Sequence, residues 1–123
     1  MNLDTAQISD AGLAHLQGLH KLKSLNLGMT GITDRGLASL KGMTDLEHLE
    51  LWDTQITDAG LLHLRHLARL QRLDLSGTRV SDAGLQHLLK LTKLKALILT
   101  GTRVTAGGQK ELEKALPSVQ VRR

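Results

Sequence analysis

A single pattern recurs along this sequence with a fixed period of 24 residues. The pattern Leu-x-x-Thr-x-Ile-Thr-Asp-x-Gly-Leu-x-x-Leu starts at Leu27 and returns, nearly unchanged, at Leu51 and Leu75. Fainter copies start at Leu3 and Leu99, and no insertion shifts the phase. A fixed period of about 20–50 residues is typical of solenoids, in which each repeat is one coil stacked on the next. We therefore expect one repeat domain over residues 1–123, with coils at about 1–24, 25–48, 49–72, 73–96 and 97–120.

Each repeat divides into a strand and a helix. Leu25 and Leu27 are two residues apart, so both point to one face of a strand, and the residues between and beside them point to the other face. Thr33 is a suitable N-cap, because its hydroxyl can accept a hydrogen bond from an amide in the first helical turn. Asp34 then places a negative charge at the positive end of the helix. The repeat therefore predicts short strands that alternate with helices, whose leucines at three-residue steps face inward.

Two further repeated residues predict contacts between coils. Gly36 lies in the first helical turn, where glycine costs up to about 1 kcal/mol relative to alanine. Since equivalent glycines occur in the other copies, we expect the backbone there to approach a neighbouring coil too closely for a side chain. Thr30 and its equivalents lie where the chain leaves the strand. We expect their hydroxyls to bond turn amides of the adjacent coil.

The segment Leu22-x-x-Leu25-x-Leu27-x-x-Thr30-x-Ile32 resembles the leucine-rich repeat, with Thr in the position of the usual Asn or Cys. The continuation Ile-Thr-Asp-x-Gly-Leu is similar to the 24-residue bacterial and cysteine-containing subclass. The resemblance implies a right-handed α/β solenoid with a parallel sheet on the concave side and helices on the convex side. It also implies protein–protein recognition as the commonest use. Curvature follows independently, because strands pack about 4.8 Å apart whereas helices need about 10 Å.

Composition excludes several classes of protein. The chain has no Cys, which excludes a disulfide framework and a Cys-ligated metal site and fits a reducing compartment, so we expect a cytoplasmic protein. No apolar run is long enough to cross a membrane, and residues 1–4 do not resemble a secretory signal, so we expect no membrane partner. The net charge of +4 is mild, and acidic and basic residues are interspersed, which is typical of an ordinary mixed-charge surface.

The two ends of the solenoid differ. Residues 106–123 predict a C-terminal cap, since Ala106 replaces the repeated Asp, the last helix is polar, and Pro117 ends it. Residues 119–121 are expected to add a final edge strand. The N-terminal coil has no comparable cap. We therefore expect either that it packs against another molecule, which includes self-association, or that the chain belongs to a longer array.

No catalytic or metal-binding pattern emerges. The sequence lacks G-x-S-x-G, P-loop, H-E-x-x-H and C-x-x-C motifs. His63 and His66 are three residues apart on one helix, but no third ligand accompanies them, and His87 lies one coil away. We predict no catalysis, no cofactor and no metal.

The outward positions of the strands are the best candidate for recognition. Trp52 is the only aromatic residue and occupies a repeat position held elsewhere by Asp4, Gly28, Ser76 and Thr100, so the phase predicts that it is exposed. Trp and Arg dominate interface hot spots, and an exposed Trp among charges has this composition. The alternative interpretation is that Trp52 merely packs against Met29 and its neighbours. The predicted partner-binding residues are Asn26, Met29, His48, Glu50, Trp52, Asp53, Arg72 and Asp74.

Two other functions remain open. Binding of nucleic acid or of another acidic partner could use two rows of basic residues near the turn that precedes each strand. Acidic residues interrupt both rows, and no aromatic stacking platform for nucleic acid accompanies them. The rows are Lys21, Arg69 and Lys93, and Lys23 and Lys95, with Asp45 and Glu47 as the interruptions. Near-identical copies also suit a designed or recently duplicated scaffold with no natural partner.

Overall fold

The computed structural model describes all residues, 1–123, as a stack of strands and short helices in strict alternation. The strands each contain three residues and lie at β1 (Ser24–Asn26), β2 (His48–Glu50), β3 (Arg72–Asp74), β4 (Ala96–Ile98) and β5 (Gln120–Arg122). The α-helical segments are α1 (Asp10–Ala14), α2 (Asp34–Leu37), α3 (Asp58–Leu61) and α4 (Ala106–Ala115). Segments of 3₁₀ helix follow or replace them at Ala38–Leu40, Leu62–Leu64 and Asp82–Leu88.

The five strands form one parallel sheet in sequence order, from β1 to β5. The register advances by one repeat at each step, so that Leu25 pairs with Leu49, Leu49 with Leu73 and Leu73 with Leu97. The edge strand expected at residues 119–121 is found one residue later, as β5, where it pairs with β4. The chain is therefore an α/β solenoid, as the repeat predicts.

A single leucine-rich core runs the length of the stack. It comprises 28 buried residues, and the two strand leucines of β1, Leu25 and Leu27, have no exposed surface. Their equivalents in the next three coils are buried in the same way. The predicted division of the strands β1 to β4 into an inward leucine face and an opposite, outward face is confirmed.

The helices are tighter and shorter than the pattern predicts. In the second coil a single α-helical turn gives way to 3₁₀ helix at Ala38, and in the fourth coil the whole segment Asp82–Leu88 is 3₁₀. The reason lies in the spacing of the apolar residues. Leucines at three-residue steps match the three residues per turn of a 3₁₀ helix better than the 3.6 of an α-helix. Only α4, with ten residues, is a full α-helix, and no helix is long and apolar enough to span a membrane.

The predicted N-cap role of Thr33 is wrong. Thr33 has the extended backbone of a cap residue, but its hydroxyl makes no capping bond within its own helix. Instead, its N–H donates to Oδ1 of Asp10 (2.8 Å) and its hydroxyl donates to Oδ2 of the same carboxylate (2.5 Å), in the preceding coil. The pairing recurs as Asp34 with Thr57, Asp58 with Ser81, and Asp82 with Thr105. The amide that a Thr33 cap would serve already has a partner, because the N–H of Gly36 donates to the carbonyl of Thr33 (3.0 Å). The hydroxyl instead donates to the carboxylate, an acceptor that forms strong, charge-assisted hydrogen bonds.

The last of these pairs has two distinguishing features. Thr105 also caps its own helix by accepting from the N–H of Gly108 (3.2 Å), so the predicted cap is present at this one repeat. The hydrogen bonds from the hydroxyl and the N–H of Thr105 hold the pKa of Asp82 below its ordinary value. The repeated aspartate thus joins one coil to the next, in addition to lying at the start of a helix.

The inter-coil carboxylate explains the repeated glycine. A Cβ built on Gly36 would overlap Oδ1 of Asp10 and lie 3.0 Å from its Cγ, and Gly60 has the same relation to Asp34. Gly12 has no such carboxylate beside it, and its nearest neighbour is Cγ1 of Ile8 at 3.0 Å. The expected close approach between coils is confirmed, and the approaching group is a side-chain carboxylate.

The predicted role of the threonine row is also wrong. The hydroxyl of Thr30 donates to the carbonyl of Leu27, three residues earlier in its own coil (2.7 Å), and the other threonines of the row do the same. The turn amides of the neighbourhood already have backbone partners, because the N–H of Met29 donates to the carbonyl of Trp52 (2.8 Å) and that of Gly31 to Ile8 (3.1 Å). The buried threonines therefore close the turn within each coil.

Candidate functional site

The register of the sheet places all eight predicted binding residues on adjacent strands and the turns that follow them. His48 lies beside Arg72, and Glu50 lies between Asn26 and Asp74. We call this region the Trp52 surface; it consists of Asn26, Met29, His48, Glu50, Trp52, Asp53, Arg72 and Asp74. No residue of the surface belongs to the leucine core.

Trp52 packs against the turn after β1, in the preceding coil, and is less exposed than its repeat position predicts. A Cβ built on Gly28 would overlap Cε2 and Nε1 of the indole, so the ring occupies the space that a side chain at Gly28 would need. Gly28 is consequently buried, whereas Trp52 remains partly accessible. This contact agrees with the alternative interpretation, in which Trp52 packs against Met29 and its neighbours, since Gly28 directly precedes Met29. One side of the indole ring lies against Gly28, and part of the ring surface is open to solvent.

The turn that follows each strand adopts a left-handed backbone. Met29 and Asp53 have φ values of 52° and 51°, in a repeat position that Thr5, Gly77 and Gly101 occupy with the same sign of φ. Residues with a Cβ rarely adopt this conformation, and such outliers cluster at functional sites. The two glycines at this repeat position, Gly77 and Gly101, are the signal in the sequence for a left-handed turn. Met29 is 55% exposed, which makes it the most exposed of the large apolar side chains.

Asn26 and Asp74 have local structural roles. Oδ1 of Asn26 accepts from the N–H of Gly28 (2.9 Å), and Oδ1 of Asp74 accepts from the N–H (2.9 Å) and hydroxyl (2.6 Å) of Ser76. Asn and Asp commonly stabilise turns by bonding the amide two residues ahead. These two side chains therefore help to end β1 and β3, and their oxygens are partly used within the chain.

The charges of Glu50 and Arg72 are not neutralised by ion pairs. The two ion pairs of the structure join Arg69 to Asp45 (3.3 Å) and Lys114 to Glu111 (3.4 Å), both away from the Trp52 surface. Glu50 lies directly beside Asp74 in the register, which puts two carboxylates on neighbouring strands. The surface thus presents a partly exposed aromatic ring, an exposed thioether and unpaired charges of both signs.

Other candidate sites receive less support from the geometry. No group of three or more His, Cys, Asp or Glu side chains is arranged to hold a metal ion. The first basic row is interrupted as the sequence indicates, and the interruption is an ion pair, since Asp45 binds Arg69. Lys21 and Lys93 are exposed at the two sides of this pair.

A family model and solved structures match this chain. The model described as Leucine Rich repeat matches residues 18–41, 42–64 and 62–89, which together are more than half of the chain. Internalin C2 from Listeria monocytogenes is 28% identical, with a TM-score of 0.75 over 98% of this chain and 50% of its own. A leucine-rich repeat protein of Leptospira interrogans is 19% identical, with a TM-score of 0.69 over 89% of this chain and 27% of its own.

A further internalin, InlF of Listeria monocytogenes, is 21% identical and has a TM-score of 0.58 over 98% of this chain and 46% of its own. This chain therefore spans half or less of the length of each of these structures. At 19% and 21% identity, two of these likenesses concern the fold alone. No curated protein matches the sequence.

Proposed function

The chain belongs to the leucine-rich repeat family, and from that membership we propose that it is a non-catalytic scaffold that binds a partner protein through its concave face. Members of the family typically mediate protein–protein interaction and are generally not enzymes. The observation that carries the proposal is Trp52, an aromatic side chain in the turn after β2 that lies against Gly28, beside unpaired charges. The finer subclass of repeat and the cytoplasmic location stay predictions.

The contact with Gly28 favours Trp52 as an anchor residue for a partner, because it restricts the side chain before binding. A side chain that is already held in one place loses little conformational entropy when a partner covers it. A partly open indole can still contribute a large apolar contact area. Interface hot spots are enriched in Trp and Arg, and Arg72 lies on the strand next to Trp52.

The unpaired charges of Glu50 and Arg72 can orient a bound partner. Glu50 and Arg72 have no ion-pair partner in the chain, so a bound protein can pair with them without first breaking an internal contact. Complementary charges of this kind contribute mainly to specificity and to the rate of association. Asn26 and Asp74 are partly used in turns, so we assign them a smaller share of the binding energy.

The size of the face indicates that the turns take part. Five strands of three residues cover only about 240 Å² of flat sheet, at about 3.3 Å per residue and 4.8 Å per strand. A standard interface buries about 800 Å² on each partner. Met29 and Asp53 extend the Trp52 surface beyond the strand ends, and both are exposed. We therefore include the left-handed turns in the proposed interface.

Titration of a partner against the intrinsic fluorescence of Trp52, the only Trp in the chain, tests this proposal. Candidate partners come from affinity capture, and each is then titrated as a purified protein. We expect the emission to shift to the blue on binding. Trp52→Ala has no Trp, so its binding is measured by isothermal titration calorimetry, and we expect this substitution to raise the dissociation constant by about 30-fold or more, as for a hot spot worth about 2 kcal/mol.

The matched control is Thr100→Ala, an exposed residue at the same repeat position two strands away. This substitution should change the dissociation constant by less than about threefold. Circular dichroism of both variants establishes that they are folded. A folded Trp52→Ala variant that binds as tightly as the unmodified protein would show that the partner binds elsewhere.

A further inference from the structure

The charges on the outward face of the sheet are separated along the direction of the strands. The side where the strands end carries carboxylates, at outward strand positions and in the turns that follow. We call these residues the acidic end: Asp4, Glu50, Asp53 and Asp74. No basic residue occupies an equivalent position as far as β4, and the first that does, Arg122 on β5, lies three strands from β2. Trp52 lies within the acidic end.

The side where the strands begin has the opposite charge. Its basic residues are Lys21, Lys23, Arg69, Arg72, Lys93 and Lys95. The acidic residues on that side are Asp45 and Glu47, and Asp45 is already paired with Arg69. Arg79 and Arg103 lie past the turns, where their backbones pair with the helix starts of the preceding coils. The outward face is therefore acidic at one end of its strands and basic at the other.

Distance decides which of these charges acts on the indole ring. Trp52 lies four residues after His48, which pairs with Arg72, so the backbone of Arg72 is about 13 Å from the level of Trp52, at about 3.3 Å per residue. Glu50 is two residues from Trp52 and Asp53 is next to it, at about 7 Å and 4 Å between Cα atoms. The Debye length is about 8 Å at physiological ionic strength, so salt screens Arg72 more strongly than the carboxylates. The electrostatic potential at the ring is therefore negative.

The indole ring offers one flat face to a partner. A Cβ built on Gly28 would overlap three ring atoms of Trp52 at once, namely Cδ2, Cε2 and Nε1. Only a point above the plane of the ring lies that close to all three atoms, so a face of the ring, and not its edge, rests on Gly28. Because the ring is partly accessible, a partner reaches it from the opposite face and the rim. The face of an aromatic ring carries the negative part of its quadrupole, which attracts cations.

The surrounding carboxylates retain oxygens that can bind a cation. Glu50 and Asp53 form no ion pair within the chain. Asp74 uses only Oδ1 in its two hydrogen bonds, which leaves Oδ2 without a partner. Asp4 lies beside Gly28, on the side of the ring away from β2. Carboxylates therefore lie on both sides of the ring, next to its open face.

We propose that the partner protein places a basic side chain, Arg or Lys, on the open face of Trp52, within the acidic end. The inference rests on the proposed function, because it names the chemistry of the group that the Trp52 surface binds. A cation gains from the ring and from the carboxylates together. An acidic side chain would meet like charges, and an apolar one would cover the carboxylates without pairing them. The charge of this end therefore selects a basic anchor.

Two short peptides with blocked termini, Gly-Arg-Gly-Arg-Gly and Gly-Glu-Gly-Glu-Gly, test this proposal on the full chain. Each is titrated into isotope-labelled protein, and NMR follows the indole N–H of Trp52, which is unique in the chain. We expect the arginine peptide to shift the indole N–H and the Gly28 amide saturably, with a millimolar dissociation constant, and the glutamate peptide to leave both unchanged. Equal shifts with the two peptides, or no saturable shift with the arginine peptide, would overturn the proposal.

Two double variants of equal net charge separate the acidic end from general attraction. Glu50→Gln with Asp53→Asn removes the two carboxylates nearest to Trp52 in the chain, and Asn tolerates the positive φ at position 53. This variant should bind the arginine peptide about fivefold more weakly or worse, as expected for the loss of two exposed charge pairs. The control, Asp45→Asn with Glu47→Gln, removes the same charge where the strands begin and should change the affinity less than about twofold. Equal effects of the two double variants would contradict the proposal.

Trp52→Leu tests the ring itself, since leucine keeps an apolar side chain but has no aromatic face. Followed at the Gly28 amide, the arginine peptide should bind this variant about three- to fivefold more weakly. Unchanged affinity would show that the ring does not hold the cation. The protein partner separates this inference from the proposed function. If Trp52→Ala weakens its binding while both double variants bind it equally well, the interface stands and the basic anchor is refuted.

Discussion

One substitution, glycine to alanine in the first helical turn, should have opposite effects at two equivalent repeat positions. Helix propensity alone predicts that replacing either Gly12 or Gly60 by alanine stabilises the protein by up to about 1 kcal/mol. The structure separates the two positions. A Cβ at Gly60 would overlap Oδ1 of Asp34, whereas Gly12 has no carboxylate beside it.

The expected cost follows from the two hydrogen bonds that Asp34 would have to give up. Its carboxylate accepts from the N–H (2.8 Å) and the hydroxyl (2.5 Å) of Thr57, and a hydrogen bond to a charged group contributes about 1.5–3 kcal/mol. Water can replace part of this, because Thr57 is only partly buried. After subtraction of the gain in helix propensity, we expect Gly60→Ala to lower the free energy of unfolding by about 2–3 kcal/mol. Gly12→Ala should range from neutral to about 1 kcal/mol stabilising, since only the flexible side chain of Ile8 must move.

Urea unfolding followed by circular dichroism and by Trp52 fluorescence measures both free energies of unfolding. A double-mutant cycle then identifies the clashing group. In the Asp34→Ala background, Gly60→Ala should cost less than about 0.5 kcal/mol, because the carboxylate is gone. Asp45→Ala provides a charge-matched control, whose loss of an ion pair with Arg69 should cost less than about 1 kcal/mol.

Two results would refute the reasoning. If Gly60→Ala is as stable as the unmodified protein, the carboxylate does not occupy the space that the structure shows. If Gly60→Ala costs as much in the Asp34→Ala background, the clash is with another group, and Cδ1 of Leu37 at 3.1 Å is the next nearest.

Further predictions concern pH and the left-handed turn. Because hydrogen bonds from Thr105 lower the pKa of Asp82, the stability that they confer is present above the ordinary aspartate pKa of about 3.9 and is lost as pH falls through the lower, folded value. Asp82→Asn should therefore reduce the drop in urea midpoint between pH 7 and pH 2.5, and a drop equal to that of the unmodified chain would contradict this assignment. Met29→Gly should be about 1 kcal/mol more stable than Met29→Ala in urea unfolding, because φ is 52° at this position; the reverse order would mean that the turn is not left-handed in solution.

Leucines at fixed repeat positions were sufficient to predict the stacked coils, the parallel strands and the inward face of each strand. Alternation along Leu25 and Leu27 depends only on the geometry of an extended chain, and the constant period determines that each coil meets the next in the same register. The different composition of the last helix was visible for the same reason, since Ala106 departs from a pattern that the other copies keep.

The candidate site was only partly predictable. The repeat phase placed Trp52 at an outward position just after β2, but its contact with Gly28 depends on which residue lies one coil away and on the orientation of the indole ring. The positive φ at Met29 and Asp53 could have been read from Gly77 and Gly101 at the same repeat position. That Asn26 and Asp74 end their strands by bonding backbone amides was visible only in the structure.

The sequence by itself determined the architecture of this protein, because hydrophobic periodicity acts within one coil and repeats without a break. Only the tertiary structure decided the polar partners. Local rules assign Thr33 to the amides of its own helix, but the hydroxyl bonds Asp10, a residue 23 positions earlier in the sequence. Adjacent coils of a parallel sheet lie about 4.8 Å apart, so a side chain meets a residue one repeat away as readily as its own neighbours. The first-turn amide that Thr33 would cap is already bonded to the Thr33 carbonyl, so the hydroxyl makes its hydrogen bond with the carboxylate one coil away.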